Sequence, residues 1–320
     1  MKREIIEISE KIYCLQGTRS SNIYYLDFDK KAIIDSGHPL EIKDNLTVFK
    51  NYDLELDKID YIINTHSHGD HVGANAYLKK INPSIKIIAS SKKEQYQIKR
   101  KKIELLKGAE DDFDEYKIDI AIDNNETIEL GNEKLRVIGT PGHTSDSAAF
   151  YLENKKILFS GDIIYPRVIT QLDYYQDLMK SLNELMNTYN NLLELDADVY
   201  YTGHGEPIEN PRENINMCLR KLKRFEKQPE MILINNLIPS IEFYLHKNKN
   251  KSAKEVKVYF LDNMMKFKKA PYFAGIEDDK FIGIVDKTIA LMKLMKMLNE
   301  ENGVLYPLNE LNEYIGIIKK

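Results

Sequence analysis

Through the first two hundred residues, apolar positions alternate with polar ones or gather in short branched runs. After that they fall at helical spacing. Segments 4–9, 11–16, 22–27 and 32–35 read as strands, with turns at Gly17-Thr18 and Asp29-Lys30. Connections this short imply antiparallel pairing at the start of a sheet. A helix is expected over 39–52, where Leu40, Val48 and Phe49 build a partly apolar face. A buried strand follows at 59–64, a short helix at 72–80 and a strand at 84–89. The spacing predicts a polar, basic helix over 92–108, then an acidic stretch over 109–125 expected as a mobile surface region. Strands resume at 127–130, 134–138, 148–152 and 156–159, followed by a helix at 173–193 and a strand at 198–201.

Strands with interposed helices argue for an α/β sandwich rather than a bundle or a pure β domain. After Pro211 the pattern is nearly all helical, at 212–227, 230–245, 252–265 and 281–300. In the last of these, Phe281, Val285, Ile289, Met292 and Met295 keep helical spacing, and the turn Asn302-Gly303 leads into Val304-Leu305-Tyr306. The change of period places a domain boundary near residue 210, with units 1–210 and 211–320.

Composition narrows this picture. A chain of 320 residues has ample material for a large and a small domain. A net charge of −4 gives no global reason to expect a polyanion, so a small-molecule substrate is expected as partner rather than nucleic acid. Cys14 and Cys218 lie far apart and form no CxxC pair, which fits a reducing compartment and excludes a thiolate metal site. The N-terminal residues carry no apolar leader core, and no apolar run has membrane-spanning length. A cytoplasmic protein with no membrane partner is expected, and its oligomeric state is open.

The chemistry concentrates at Thr65-His66-Ser67-His68-Gly69-Asp70-His71, on a strand-to-helix turn. Three imidazoles and a carboxylate fall within six residues, on loop positions backed by regular structure. Three other places share one grammar, an apolar strand, then a glycine, then a metal-competent side chain: Gly142-His143, Gly161-Asp162 and Gly203-His204. Glycine permits a sharp turn and close backbone approach there, so the next side chain can be aimed over the strand end. Five of the seven histidines are thereby accounted for. Imidazole and carboxylate suit zinc, and also iron or manganese. Seven donors are too many for one tetrahedral ion but fit two divalent ions sharing a carboxylate. Such a pair, about 3.5–4 Å apart, lowers the pKa of a shared water towards about 7.

His66-Ser67-His68-Gly69-Asp70-His71, followed by His143, Asp162 and His204, resembles the HxHxDH…H…D…H signature of the metallo-β-lactamase-fold hydrolases. Ile33-Ile34-Asp35-Ser36-Gly37 resembles that family's early aspartate-glycine turn, and Thr140-Pro141-Gly142-His143-Thr144 its middle motif. The resemblance implies an αββα sandwich with the site along the strand ends. It implies one ion on His66, His68 and His143, a second on Asp70, His71 and His204, and Asp162 between them. Asp35 would steady the ligand loop. Members with a small winged-helix-like domain suggest the same for the helical tail.

Three further residues are weighed for the site. Tyr165 and Arg167 follow Asp162 closely enough to face a substrate, where tyrosine could orient an oxyanion and arginine a carboxylate or phosphate. His38 follows the Asp35 turn and is expected to be structural. The run Lys99-Arg100-Lys101-Lys102 is expected to be a solvated helix face, since acidic residues from Glu110 to Glu115 follow it. The expected activity is hydrolysis of a small-molecule ester-type bond, thioester or lactone first, with Asp70 orienting the attacking water. The runner-up is a phosphodiesterase or endoribonuclease on the same metals. A third reading is a non-catalytic metal-binding regulator.

Overall fold

The computed structural model describes residues 3–17, 20–95, 115–173, 175–267 and 275–308. Strands β1 (Glu4–Ser9), β2 (Ile12–Gln16), β3 (Ile23–Asp27), β4 (Lys31–Ile34), β5 (Tyr61–Ile63), β6 (Lys86–Ser90) and β7 (Ile120–Ile122) form one sheet in chain order. The first four pair antiparallel, as their short turns demand, and β4 to β7 pair parallel, with helices between β4 and β5 and between β5 and β6. Strands β8 (Thr127–Glu129), β9 (Lys134–Gly139), β10 (Ala148–Leu152), β11 (Ile157–Gly161) and β12 (Val199–Thr202) form the second sheet, ordered β12-β11-β10-β9-β8.

The period of two explains the layering. Tyr24, Leu26 and Ile34 point between the sheets and meet Val137, Phe150 and Phe159. Their neighbours Ile23, Tyr25 and Ile33 point the other way, onto Phe49 of α1 (Ile42–Lys50), and the same layer holds Leu78. Helix α2 (Gly69–Val72) takes in Asp70 and His71 at the end of the ligand turn, and α3 (Asn75–Ile81) follows it. Beyond the second sheet, Ala149, Tyr151 and Leu158 pack with Leu182 and Leu185 of α4 (Leu178–Leu193). The two sheets are therefore flanked by helices, an αββα sandwich.

The rest of the chain supplies α5 (Pro211–Lys227), α6 (Glu230–Lys247), α7 (Ala253–Phe267), α8 (Asp278–Leu294) and the hairpin β13 (Leu298–Glu301) and β14 (Val304–Pro307). Their apolar faces join the same cluster as α4, through residues such as Leu222, Leu237 and Ile241. Among the described residues no helix is long and apolar enough to cross a membrane.

Three expectations change, and one falls outside the described residues. The expected mobile stretch contains β7, an edge strand pairing Ile88 with Ile120 and Ser90 with Ile122; three residues leave no alternation to read. Residues 96–108 of the expected basic helix, Lys99 to Lys102 included, lie outside the described residues, as do Glu110 to Asp114. Helix α4 begins at Leu178 rather than 173, because the Asp177 side chain accepts from Lys180 N and caps it. Helix α8 ends at Leu294 rather than 300. Lys296 turns left-handed with φ 57°, and the chain returns through Asn302 (φ 52°) and Gly303 (φ 76°), the two positive φ values of a type I′ hairpin turn.

Candidate metal centre

Thr65 is where the ligand turn is anchored. Asp35, itself left-handed at φ 59°, accepts from Thr65 N at 2.9 Å and from Thr65 Oγ1 at 2.8 Å. The same carboxylate receives His71 Nδ1 at 2.8 Å. Since Asp35 accepts, His71 carries its proton on Nδ1, and Nε2 is left to face the site. Thr65 Oγ1 has given its proton to Asp35, so it can only accept from His66 Nδ1, 3.0 Å away. His143 Nδ1 donates to the carbonyl of Gln171 at 3.0 Å, with Thr170 Oγ1 at the same distance. In all three rings the backing partner holds a proton on Nδ1 and turns Nε2 inward.

Those inward nitrogens crowd together. His66 Nε2 lies 3.0 Å from His68 Nδ1, which lies 3.1 Å from His143 Nε2. His71 Nε2 lies 3.2 Å from His204 Nε2, and His204 Nε2 lies 3.1 Å from Asp70 Oδ2. The donor atoms of His66, His68, His143 and Asp162 all fall within 4.8 Å of one another, and so do those of Asp70, His71 and His204. Asp162 stands between the sets. Its oxygens are 3.9 and 3.7 Å from His66 and His143, and 3.3 and 3.5 Å from His71 and His204.

This arrangement fits divalent ions. Ligand bonds of about 2.0–2.1 Å in a tetrahedron put neighbouring donors roughly 3.3 Å apart, close to the spacing of the imidazole nitrogens. Asp162 Oδ1, although buried, receives no hydrogen bond of its own. The protonation states agree. Burial, with His71 and His68 alongside, keeps His66 well below the usual histidine range, and burial likewise lowers His143. Burial would raise the Asp162 carboxyl, but His71 and His204 hold it well below the usual carboxylate range; His71 and His204 do the same for Asp70. Burial opposes the charge on His204 too, yet Asp162 pulls it up to about 9. The carboxylates are drawing from imidazolium protons the positive charge that a metal ion would supply.

Glycines make the approach possible at two of the strand ends. Gly161 is left-handed at φ 53°, where a β-carbon would meet the Thr65 side chain at 2.7 Å. Gly203 has no such dihedral; a β-carbon there would lie 2.0 Å from Asp162 Oδ1 and 2.8 Å from His71 Cε1. Its role is closeness, not conformation.

The structure thus brings all seven expected donors together. Tyr165 is buried beside them, its ring 6.5 Å from that of His204, and burial together with Asp162 holds its hydroxyl well above the usual range, so it stays protonated. Arg167 is exposed, and among the described residues no hydrogen bond or ion pair joins its guanidinium to the seven donors. His38 caps the turn after it by accepting from Leu40 N at 3.2 Å.

Other contributors carry no sequence signal. Residues 165–172 form a strap held to the tail helices through its backbone. Asn214 of α5 accepts from Arg167 N and donates to Tyr165 O. Asn236 of α6, fully buried, accepts from Leu172 N at 3.1 Å and donates to Leu172 O at 2.9 Å. Asn235 donates to Thr170 O at 3.2 Å. The strap in turn backs His143. Between the first two histidines, Ser67 donates to Asp146, which ties the ligand turn to the segment after His143.

Comparison with known proteins bears on this directly. A model of the metallo-beta-lactamase superfamily matches residues 17–204. A beta-lactamase-like protein 2 homolog of Caenorhabditis elegans is 30% identical over 227 residues, 69% of this chain and 66% of that protein. An atrochrysone carboxyl ACP thioesterase of Aspergillus fumigatus is 25% identical over 69% of this chain and 61% of its own length. The chain thus spans somewhat less than two thirds of these relatives. A metallo-beta-lactamase family protein from Thermus thermophilus superposes with a TM-score of 0.54 at 16% identity, over 94% of this chain and 100% of that one, which shows the fold alone. With the family model covering more than half of its length, and the two sheets carrying the matched histidines and aspartates to one place, the chain belongs to the metallo-beta-lactamase superfamily.

Proposed function

We propose that the chain is a hydrolase of small-molecule ester-type bonds, thioesters or lactones first, that works with two divalent ions, zinc foremost and iron or manganese as substitutes. The observation that carries this reading is Asp162, which stands 3.3–3.9 Å from nitrogens of both donor sets. When bound, the ions would activate water near neutral pH and polarise the scissile carbonyl. His66, His68 and His143 would hold one, Asp70, His71 and His204 the other, and Asp162 both.

The chain's own groups supply the rest. Asp70 is partly open, its side chain 38% exposed, and its ionised carboxylate can accept a hydrogen bond from an incoming water and orient it. Tyr165 keeps its proton and can donate it to a developing oxyanion. The strap and the buried imidazoles shield the inner side from bulk water. Support for the bond type comes from the thioesterase named among the relatives. Cys14 and Cys218 are both buried free thiols, which suits a reducing compartment such as the cytoplasm.

The test is a turnover screen of the purified chain across thioesters, lactones, phosphodiesters and RNA, with zinc, manganese or iron supplied. Metal-dependent cleavage of a thioester or lactone, lost in Asp162→Ala, is expected. Esterase activity unchanged in that variant, or cleavage confined to phosphodiesters, would overturn the reading.

A further inference from the structure

Arg167 is the one exposed residue of the strap, set between buried Tyr165 and Val168, and its backbone is left-handed at φ 62°. Side chains with a β-carbon adopt that region sparingly, and such residues cluster where a side chain must be presented. Behind it opens a cavity of about 150 Å³. Its walls are Ile169 of the strap, Phe225 of α5, Ile234 and Ile238 of α6, and Met295 and Met297 beyond α8. A dry cavity of about this size takes a six-carbon apolar group. Lys221 also lines it, giving one of its three N–H donors to Arg167 O at 2.6 Å. Among the described residues lining this cavity there is no carboxylate, and no described carboxylate pairs with either cation. The site is therefore an apolar pocket with two cations and no counter-charge, in a protein whose net charge is −4.

We propose that this cavity binds an alkyl carboxylate of about six carbons, its chain among the methionines and isoleucines and its head group on Arg167 and Lys221. The planar guanidinium offers paired donors matched to a carboxylate, and the remaining Lys221 donors complete the head-group site. The pocket shares the strap with the metal centre without sharing its donors, and the proposal stands whether or not the metals turn substrate over.

Calorimetric titration of the full chain with butyrate, hexanoate, octanoate and the neutral hexanol tests it. Affinity should rise about fourfold for each methylene from butyrate to hexanoate, then flatten as the cavity fills. Hexanol should bind roughly tenfold more weakly than hexanoate, the difference expected of a charged hydrogen-bonded head group. Arg167→Gln should reduce hexanoate to the level of hexanol. Met295→Trp, placed at a partly exposed position so that folding is preserved, should block the cavity. An excess of acetate, which can sit on a metal ion without filling the pocket, should leave hexanoate binding intact. Affinity independent of chain length, equal binding of hexanol and hexanoate, indifference to both variants, or displacement by acetate would each overturn the assignment.

Discussion

Gly203 shows how narrowly a single residue defines the site. Alanine there would need its β-carbon 2.0 Å from Asp162 Oδ1, so either the His204 loop or the shared aspartate must move. Gly203→Ala should retain the fold by circular dichroism yet lose most bound metal by elemental analysis; full metal content would show the loop to be softer than its packing. Asp35 is a second such point, accepting from Thr65 N, Thr65 Oγ1 and His71 Nδ1 at once. Asp35→Ala removes the partner that fixes the His71 tautomer, and metal affinity should fall about 10–100-fold in a chelator competition. Unchanged affinity would mean that the ring is fixed by packing alone. The seven donors were legible because histidine, aspartate and glycine recur at strand ends in one pattern. Thr65 and Thr170 were not, since a threonine that hydrogen-bonds a histidine ring looks like any other threonine until the fold places it.

Among the elements, the strap and α6 carry a message that hydropathy missed. The helical period of 230–245 was plain, and nothing in it singles out Asn235 and Asn236. They are the clasp on Thr170 and Leu172, through which the strap backs His143. Asn236→Ala would leave a buried N–H and a buried C=O unpaired, costing about 1–3 kcal/mol each. Both the melting temperature and the occupancy of the His66–His68–His143 ion should fall. A drop in stability with metal binding untouched would disconnect the clasp from the site. Helix α7 opens on a reciprocal cap, with Ser252 Oγ accepting from Glu255 N at 3.2 Å and Glu255 accepting from Ser252 N at 2.9 Å. The Ser252 backbone and side-chain bonds, with Lys251, lower the Glu255 carboxyl to about 2. A depressed carboxyl stabilises the fold above its unfolded value near 4.5, and that contribution is lost as pH falls towards 2. Wild type and Glu255→Gln should therefore differ in melting temperature at about pH 6 and converge near pH 2; a constant gap would show that charge is not what the cap uses. Local pattern also misjudged β7 and the end of α8. A three-residue edge strand is too short to show a period, and the turn at Lys296 depends on a left-handed lysine that no propensity marks.

For the whole molecule, the alternation of apolar residues with interposed helices was enough to give an α/β sandwich, while the αββα layering came only with the resemblance to the metallo-β-lactamase fold. How the tail meets the sandwich was not legible, since helical spacing says which face is buried but not against what. The tail joins the outer layer of the second sheet and reaches the site through the strap. This makes the metal centre a product of both halves of the sequence. We propose two ions held by seven donors, and elemental analysis of the purified chain, after exposure to zinc and removal of loosely bound metal, tests that most directly. The expected result is two ions per chain, taken up with release of protons at neutral pH, because the carboxylates hold His71 and His204 protonated until metal replaces those charges. Less than one ion per chain would contradict it.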